Sequence, residues 1–279
     1  MASPRVLILR APGINCDEET AYAWKSVGAN PDRVHINHLC ENPALLGGFQ
    51  VLTIPGGFSY GDDIASGRIL ANQITNHLPD ELAAFIDRGG LVVGICNGFQ
   101  VLVRMGIVPG ADIGVRVTLA LNESGRYEDR WVSLRAQTDR CAFLEKGQIY
   151  RLPVAHGEGR VVVAGGSEGA KALASNDRIA LRYAADDALP AGSASNRQPS
   201  QAGECEGLTF PSNPNGSTDN IAGLIDSTGR VFGLMPHPER CIFATHVPAG
   251  IGGRNTDMGD QSEPDGLRMF RTAVKRLSS

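Results

Sequence analysis

The sequence is poor in the features that mark several broad classes of protein. No apolar run approaches the ~20 residues that a membrane-spanning helix needs. The opening "MASPRVLILRAPG" breaks its short apolar run at Arg10, too soon for a secretory signal core. That run reads instead as a buried first strand, and a cytoplasmic location is expected. Cysteine is sparse and scattered, with six residues (Cys16, Cys40, Cys96, Cys141, Cys205 and Cys241) and no C-x-x-C pair. This argues against both a disulfide framework and a zinc site, so no metal is expected. Neither sign of charge dominates: 26 basic residues face 30 acidic ones, and the basic stripe of a nucleic-acid binder is missing. Neither G-x-x-x-x-G-K-[ST] nor a complete strand-linked G-x-G-x-x-G is present, which leaves no phosphate-binding fingerprint.

What the chain does have is a regular alternation. Apolar β-rich runs recur at "RVLIL" (5–9), "RVHINHL" (33–39), "QVLTIP" (50–55) and "LVVGI" (91–95), with helix-like segments between them. Such runs suit strands buried on both faces, so the spacing predicts an α/β fold whose mostly parallel central sheet carries helices on both faces. Asp80 is expected to cap a helix ending at Gly89 and Gly90, and "DGLRMFRTAVKRL" (265–277) to pack Leu267, Phe270, Val274 and Leu277 inward. Further strands are predicted at 130–136, 159–165, 178–184 and from 231. Residues 186–212, rich in Gly, Pro, Ser, Ala and Gln, read as a long solvated loop inside one domain spanning 1–279.

Chemistry concentrates at three places. "G-I-C-N-G" (94–98) has the form of a nucleophile elbow, in which flanking glycines permit a tight strand-to-helix turn that lifts Cys96 clear. The unpaired N–H groups of the following helix start favour an anion there, as a thiolate nucleophile requires. "M-P-H-P-E-R" (235–240) ends an apolar strand and, if extended, turns His237 and Glu239 the same way, a base and the carboxylate that orients it. A strand-end histidine beside an incidental acid is the plainer alternative. "I-P-G-G-F-S-Y-G-D" (54–62) runs from a strand into a Gly-Gly turn whose N–H groups can hold an anion, either an oxyanion beside Asn97 N–H or a phosphate.

Taken together, these motifs resemble the class I (triad) glutamine amidotransferases. "PGGFSYGD" (55–62), "GICNGFQVL" (94–102), "AHGEGR" (155–160), "NPNGSTDNIAGL" (213–224), "MPHPER" (235–240) and the N-terminal "RAPGINCDEE" (10–19) look like the glutaminase subunits of phosphoribosylformylglycinamidine synthase, from purine biosynthesis. The resemblance implies a flavodoxin-like three-layer fold and a catalytic triad of Cys96, His237 and Glu239. Backbone groups of Gly56, Gly57 and Asn97 would form the oxyanion hole, with Gln100 shaping the glutamine pocket. His156 and Glu158 would contact substrate or couple to a synthetase. It also implies that glutamine is hydrolysed through a cysteine thioester. Ammonia would pass to a large synthetase subunit, accompanied in some systems by a small third one. The chain itself would hold no cofactor, with ATP and magnesium on the synthetase, and would meet neither nucleic acid nor membrane. A stand-alone cysteine hydrolase or peptidase, or a non-catalytic regulatory subunit, are the rival readings.

Overall fold

Four runs almost free of charge become neighbouring strands because both of their faces must be covered. Residues 3–185, 207–248 and 263–278 are described by a computed structural model. In it, β1 (Arg5–Arg10), β3 (Val51–Ile54), β4 (Leu91–Ile95) and β11 (Val231–Leu234) are buried almost throughout and pair in parallel in that order. β2 (Asn30–His35) adds to the outer side of β1. Its Pro31 has no N–H to donate, which suits a sheet edge.

β10 (Ile221–Ile225), β9 (Ile179–Ala184), β6 (Glu128–Ala136) and β7 (Ile149–His156) continue the sheet antiparallel, completing the order β2-β1-β3-β4-β11-β10-β9-β6-β7. β5 (Val117–Ala120) and β8 (Arg160–Val163) form a separate two-stranded sheet. The patterns of β5, β7 and β10 did not stand out in the sequence. The 186–212 loop reading lies outside the described residues up to 206; beyond it Leu208 is buried and Arg130 stacks over the exposed Phe210 ring at 4.4 Å.

Crossovers between parallel strands are right-handed almost without exception, and in this strand order that rule sends the helices after β1 and after β3 to opposite faces. α1 (Asp17–Ser26) packs with α7 (Asp265–Leu277), whereas α3 (Arg68–His77) packs with α4 (Pro79–Asp87) and α5 (Asn97–Arg104). Trp24 of α1 is fully buried, its ring N–H donating to Thr53 Oγ1 (3.0 Å) and its ring packing T-shaped against Phe270 with centroids 5.0 Å apart. Among the described residues no helix is long and apolar enough to cross a membrane.

Local expectations needed three corrections. The strand predicted over 33–39 stops at His35, whose ring accepts the Asn37 N–H (3.2 Å) and opens the short helix α2 (Ile36–Glu41). Asp80 is not a cap: Leu78 holds that position and Asp80 sits in the first turn, where its charge complements the helix dipole. In α7 the buried face is Met269, Phe270 and Ala273, with Leu267, Val274 and Leu277 packed at its margin. Asp265 accepts the Arg151 N–H (2.9 Å) and so ties α7 to β7.

The glycines of the elbow are required by close approach. A Cβ on Gly98 would lie 1.9 Å from the Ile54 carbonyl oxygen, and one on Gly94 2.5 Å from that of Gly98. Backbone cannot yield as a flexible side chain can. Gly98→Ala is therefore expected to cost about 3 kcal/mol or more in a denaturant titration. Gly47→Ala, where a Cβ meets nothing within 4 Å, serves as the near-neutral control.

Candidate active site

The carboxyl ends of four adjacent parallel strands open on one side of the sheet, the usual place for a site in such folds. Asn15 and Cys16 follow β1, Gly56 and Gly57 follow β3, Cys96 follows β4 and His237 follows β11. The antiparallel half curls back to this point: the His237 N–H donates to Pro153 O of β7 (2.8 Å). Together they enclose a cavity of about 120 Å³, lined by Cys16, Gly57, Cys96, Gln100, His156 and His237 among others. Exposed Phe58 and Tyr127 rim it.

Cys96 adopts φ 51°, ψ −103°, a conformation that strains a residue bearing a Cβ by about 1–3 kcal/mol. Strand pairing holds it there, since its N–H donates to Leu234 O (2.8 Å) and its carbonyl accepts the first turn of α5. The thiol thus stands between the strand end and a helix start, with Ala155 O 3.8 Å from its sulfur.

His237 and Glu239 meet by a route other than the expected extended chain. β11 ends at Leu234, and Pro238–Arg240 form one 3₁₀ turn with proline at its first position, where a missing N–H costs nothing. The turn brings His237 Nδ1 to 2.5 Å from Glu239 Oε1, both side chains being at most 2% exposed. Nδ1 carries the shared proton, so Nε2 is the nitrogen left for the chemistry; it is buried and makes no hydrogen bond among the described residues. Burial, the largest influence on His237, opposes its protonation. The Glu239 carboxylate, then Cys96, outweigh it and hold the imidazole well above its ordinary pKa. Cys96 and His237 line the same cavity.

The two loop glycines have distinct reasons to be glycine. A Cβ on Gly56 would press His237 Cε1 at 2.8 Å, so the imidazole lies directly on this residue. Gly57, at φ +141°, crosses the β1 loop so tightly that a Cβ would meet Gly13 O at 2.7 Å. Asn97 opens α5, and its side chain locks the 59–62 turn to the helix: Oδ1 accepts the Ser59 N–H (3.1 Å), while Nδ2 donates to Asp62 Oδ1 (3.1 Å) and Gln100 Oε1 (2.9 Å).

Gln100 and Glu158 bond to each other's surroundings. Gln100 Nε2 donates to Glu158 O (2.6 Å), and the Glu158 carboxylate accepts Ser66 Oγ (2.7 Å) and lies 3.5 Å from Arg104. They brace the wall of the cavity. His156 also lines it, with Nδ1 3.1 Å from Asn122 Oδ1.

Cys16 and Arg240 were not singled out as site residues in the sequence, although "RAPGINCDEE" and "MPHPER" contain them. Arg240 Nη2 donates to the Cys16 sulfur (3.1 Å), and the Cys16, His237 and Glu239 polar atoms lie within 4.8 Å of one another. Burial pushes the Cys16 thiol up, which keeps it protonated beside the dyad.

A family profile described as a CobB/CobQ-like glutamine amidotransferase domain matches residues 3–276. Among similar proteins are two named phosphoribosylformylglycinamidine synthase subunit PurQ. That of Methanococcus maripaludis is 39% identical over 98% of this chain and 97% of its own; that of Dehalococcoides mccartyi is 40% identical over 99% and 98%. A chain of the PurLQS structure from Thermotoga maritima superposes with a TM-score of 0.68 at 29% identity, covering 99% of both chains. A thiol on a strained elbow that shares a cavity with a carboxylate-held histidine, with a family match along almost the whole length, places this chain in the CobB/CobQ-like glutamine amidotransferase family.

Proposed function

We propose that this chain is the glutaminase subunit of phosphoribosylformylglycinamidine synthase and supplies ammonia to a synthetase partner in purine biosynthesis. The observation that carries the reading is the shared cavity of Cys96, on its strained elbow, and His237, bonded to Glu239 at 2.5 Å. The names of relatives matched nearly end to end, and the PurLQS assembly of the T. maritima relative, support the pathway and the multi-subunit setting.

Cys96 passes its thiol proton to His237 Nε2 as Sγ attacks the glutamine side-chain carbonyl, and the developing oxyanion is received by the Gly57 and Asn97 N–H groups. His237 gives the Nε2 proton to the departing nitrogen, which leaves as ammonia, and a γ-glutamyl thioester remains on Cys96. The neutral ring then takes a proton from water as it attacks the thioester, releasing glutamate and regenerating the thiol. Glu239 keeps the ring in one tautomer and stabilises its charged form.

Conversion of formylglycinamide ribonucleotide to the formylglycinamidine, with its ATP and magnesium, belongs to the synthetase. The setting is cytoplasmic, in keeping with five free thiols among the described cysteines. The family match over residues 3–276 and the relatives matched nearly end to end favour this reading over a peptidase.

Glutamate release is to be measured for the isolated chain and for the chain reconstituted with its synthetase. The complex is expected to be faster by at least about tenfold, because a partner that completes the site prevents wasted ammonia. Peptide hydrolysis without glutamine hydrolysis would overturn the proposal.

A further inference from the structure

Cys16 is fixed at both ends of its backbone, and that fixes where its sulfur goes. Its N–H donates to Gly56 O (3.3 Å), and its carbonyl, at the start of α1, accepts the Thr20 N–H (3.1 Å). The residue is 1% exposed, and its sulfur lies beside the imidazole: a Cβ on Gly56 would sit 3.3 Å from Cys16 Sγ and 2.8 Å from His237 Cε1. A guanidinium only donates, so Sγ accepts from Arg240 Nη2 at 3.1 Å, and the thiol's own hydrogen goes to Asn15 Oδ1 at 3.4 Å. A neutral sulfur thus bonds the guanidinium and borders the dyad.

Arg240 is a rival for the dyad's carboxylate. Its Nε lies 4.0 Å from Glu239 Oε1, the same oxygen that takes the His237 Nδ1 proton at 2.5 Å. That is outside hydrogen-bond reach. Two contacts keep it there: Nη2 on Cys16, and Nε on Glu19 Oε1 at 3.4 Å. A charged bond to carboxylate is stronger than one to a thiol, so once the sulfur is removed a move of about 1 Å gives Arg240 a better partner. Other groups near His237 leave this balance in place. His156 of β7 stays neutral, its pKa pushed down to about 3 by burial and then by the His237 charge. Tyr127, just before β6, is pushed up by burial, and Cys96 acts in the same direction as Glu239.

We infer that Cys16 is a positioning residue whose sulfur holds the Arg240 guanidinium off Glu239, so that the carboxylate serves His237 alone. The inference rests on the glutaminase reading, in which the imidazolium expels ammonia. When Arg240 closes on Glu239, the carboxylate's support for the imidazolium weakens while burial continues to oppose it. The proton is then lost from His237 at lower pH, and turnover falls first on the alkaline side.

The test follows glutamate release across pH by the chain in complex with its synthetase. Cys16→Ala and Cys16→Val both remove the acceptor, the second without opening a cavity, whereas Cys16→Ser keeps an acceptor for Arg240. In C16A and C16V the alkaline limb of kcat/KM is expected to move down by about one pH unit, with KM for glutamine at neutral pH changed less than about threefold. C16S is expected to restore most of the limb. Arg240→Gln removes the competing charge, so adding C16A to R240Q is expected to leave the limb where R240Q alone puts it. An unmoved limb in the apolar variants, a C16S limb displaced as far as theirs, or the full displacement persisting in the R240Q background would each overturn the inference. Should one apolar variant fail to fold, the other and the double variant carry the comparison. A native complex that releases no glutamate would instead bring down the glutaminase reading itself.

Discussion

Replacing Cys96 with alanine is expected to lower glutamine-dependent synthesis by the assembled enzyme at least about 10³-fold, the scale seen when a covalent nucleophile is removed. Synthesis from added ammonium salt is expected to persist, because the synthetase chemistry is proposed to lie on the partner. Alanine is the informative replacement: it keeps the Cβ, and the one side-chain hydrogen-bond contact given for the sulfur among the described residues is the weak one to Ala155 O at 3.8 Å. The strain at φ 51° remains, since alanine also has a Cβ. Both rates are to be read on the same preparation by following the amidine product. Equal loss of the two would point to a failure of assembly, and glutamine use retained in C96A would remove Cys96 from its role.

Glu239→Gln is expected to have the next largest effect, about 10²–10⁴-fold on glutamine turnover, with folding nearly intact because the side chain keeps its shape. The carboxylate does two things here. It accepts the Nδ1 proton at 2.5 Å, which directs Nε2 to the chemistry, and it is the largest of the influences that favour the imidazolium against burial. The sign of the pH effect follows. Protonated His237 is needed to expel ammonia, so activity falls on the alkaline side as the raised pKa is passed. Without the carboxylate, burial prevails, the imidazolium is lost earlier, and the alkaline limb of kcat/KM moves to lower pH in E239Q. An unmoved limb in a folded variant would show that another group sets it.

Much of the site was legible because its chemistry is local. The spacing in "GICNG" announced an elbow, and the structure shows why no Cβ fits at either glycine: carbonyl oxygens stand 2.5 Å and 1.9 Å from where it would be. His237 and Glu239 were also identifiable as a pair, although the expected geometry was wrong. Alternation along a strand suggested that they faced together, whereas a 3₁₀ turn opened by Pro238 makes the bond. Proline rules out a long helix but accepts the first position of a single turn, and that distinction is lost in a propensity reading.

Gln100, Asn97 and Glu158 show the opposite limit. Gln100 and Glu158 sit in motifs that pointed toward substrate, yet their side chains are taken up by Asn97, Ser66 and one another; the Asn97 side chain, for which the sequence suggested no role, ties the 59–62 turn to α5. Hydrogen-bond partners 35 to 92 residues away leave no trace in local pattern. Cys16 is a similar case, since its bond to Arg240 spans 224 positions.

By itself the amino-acid sequence determined the parallel strands of the first hundred residues, the strand-to-helix elbow, the candidate nucleophile and its dyad. These depend on side-chain periodicity, glycine sterics and short-range spacing, all of which act within a few residues. Only the tertiary structure decided that β7 and its histidine return to the nucleophile from the far edge of the sheet, and that His237 rests on Gly56 beside Cys16. The physical reason is that these contacts come from the curl of a nine-stranded sheet, a property of many strands packed together that no short stretch encodes.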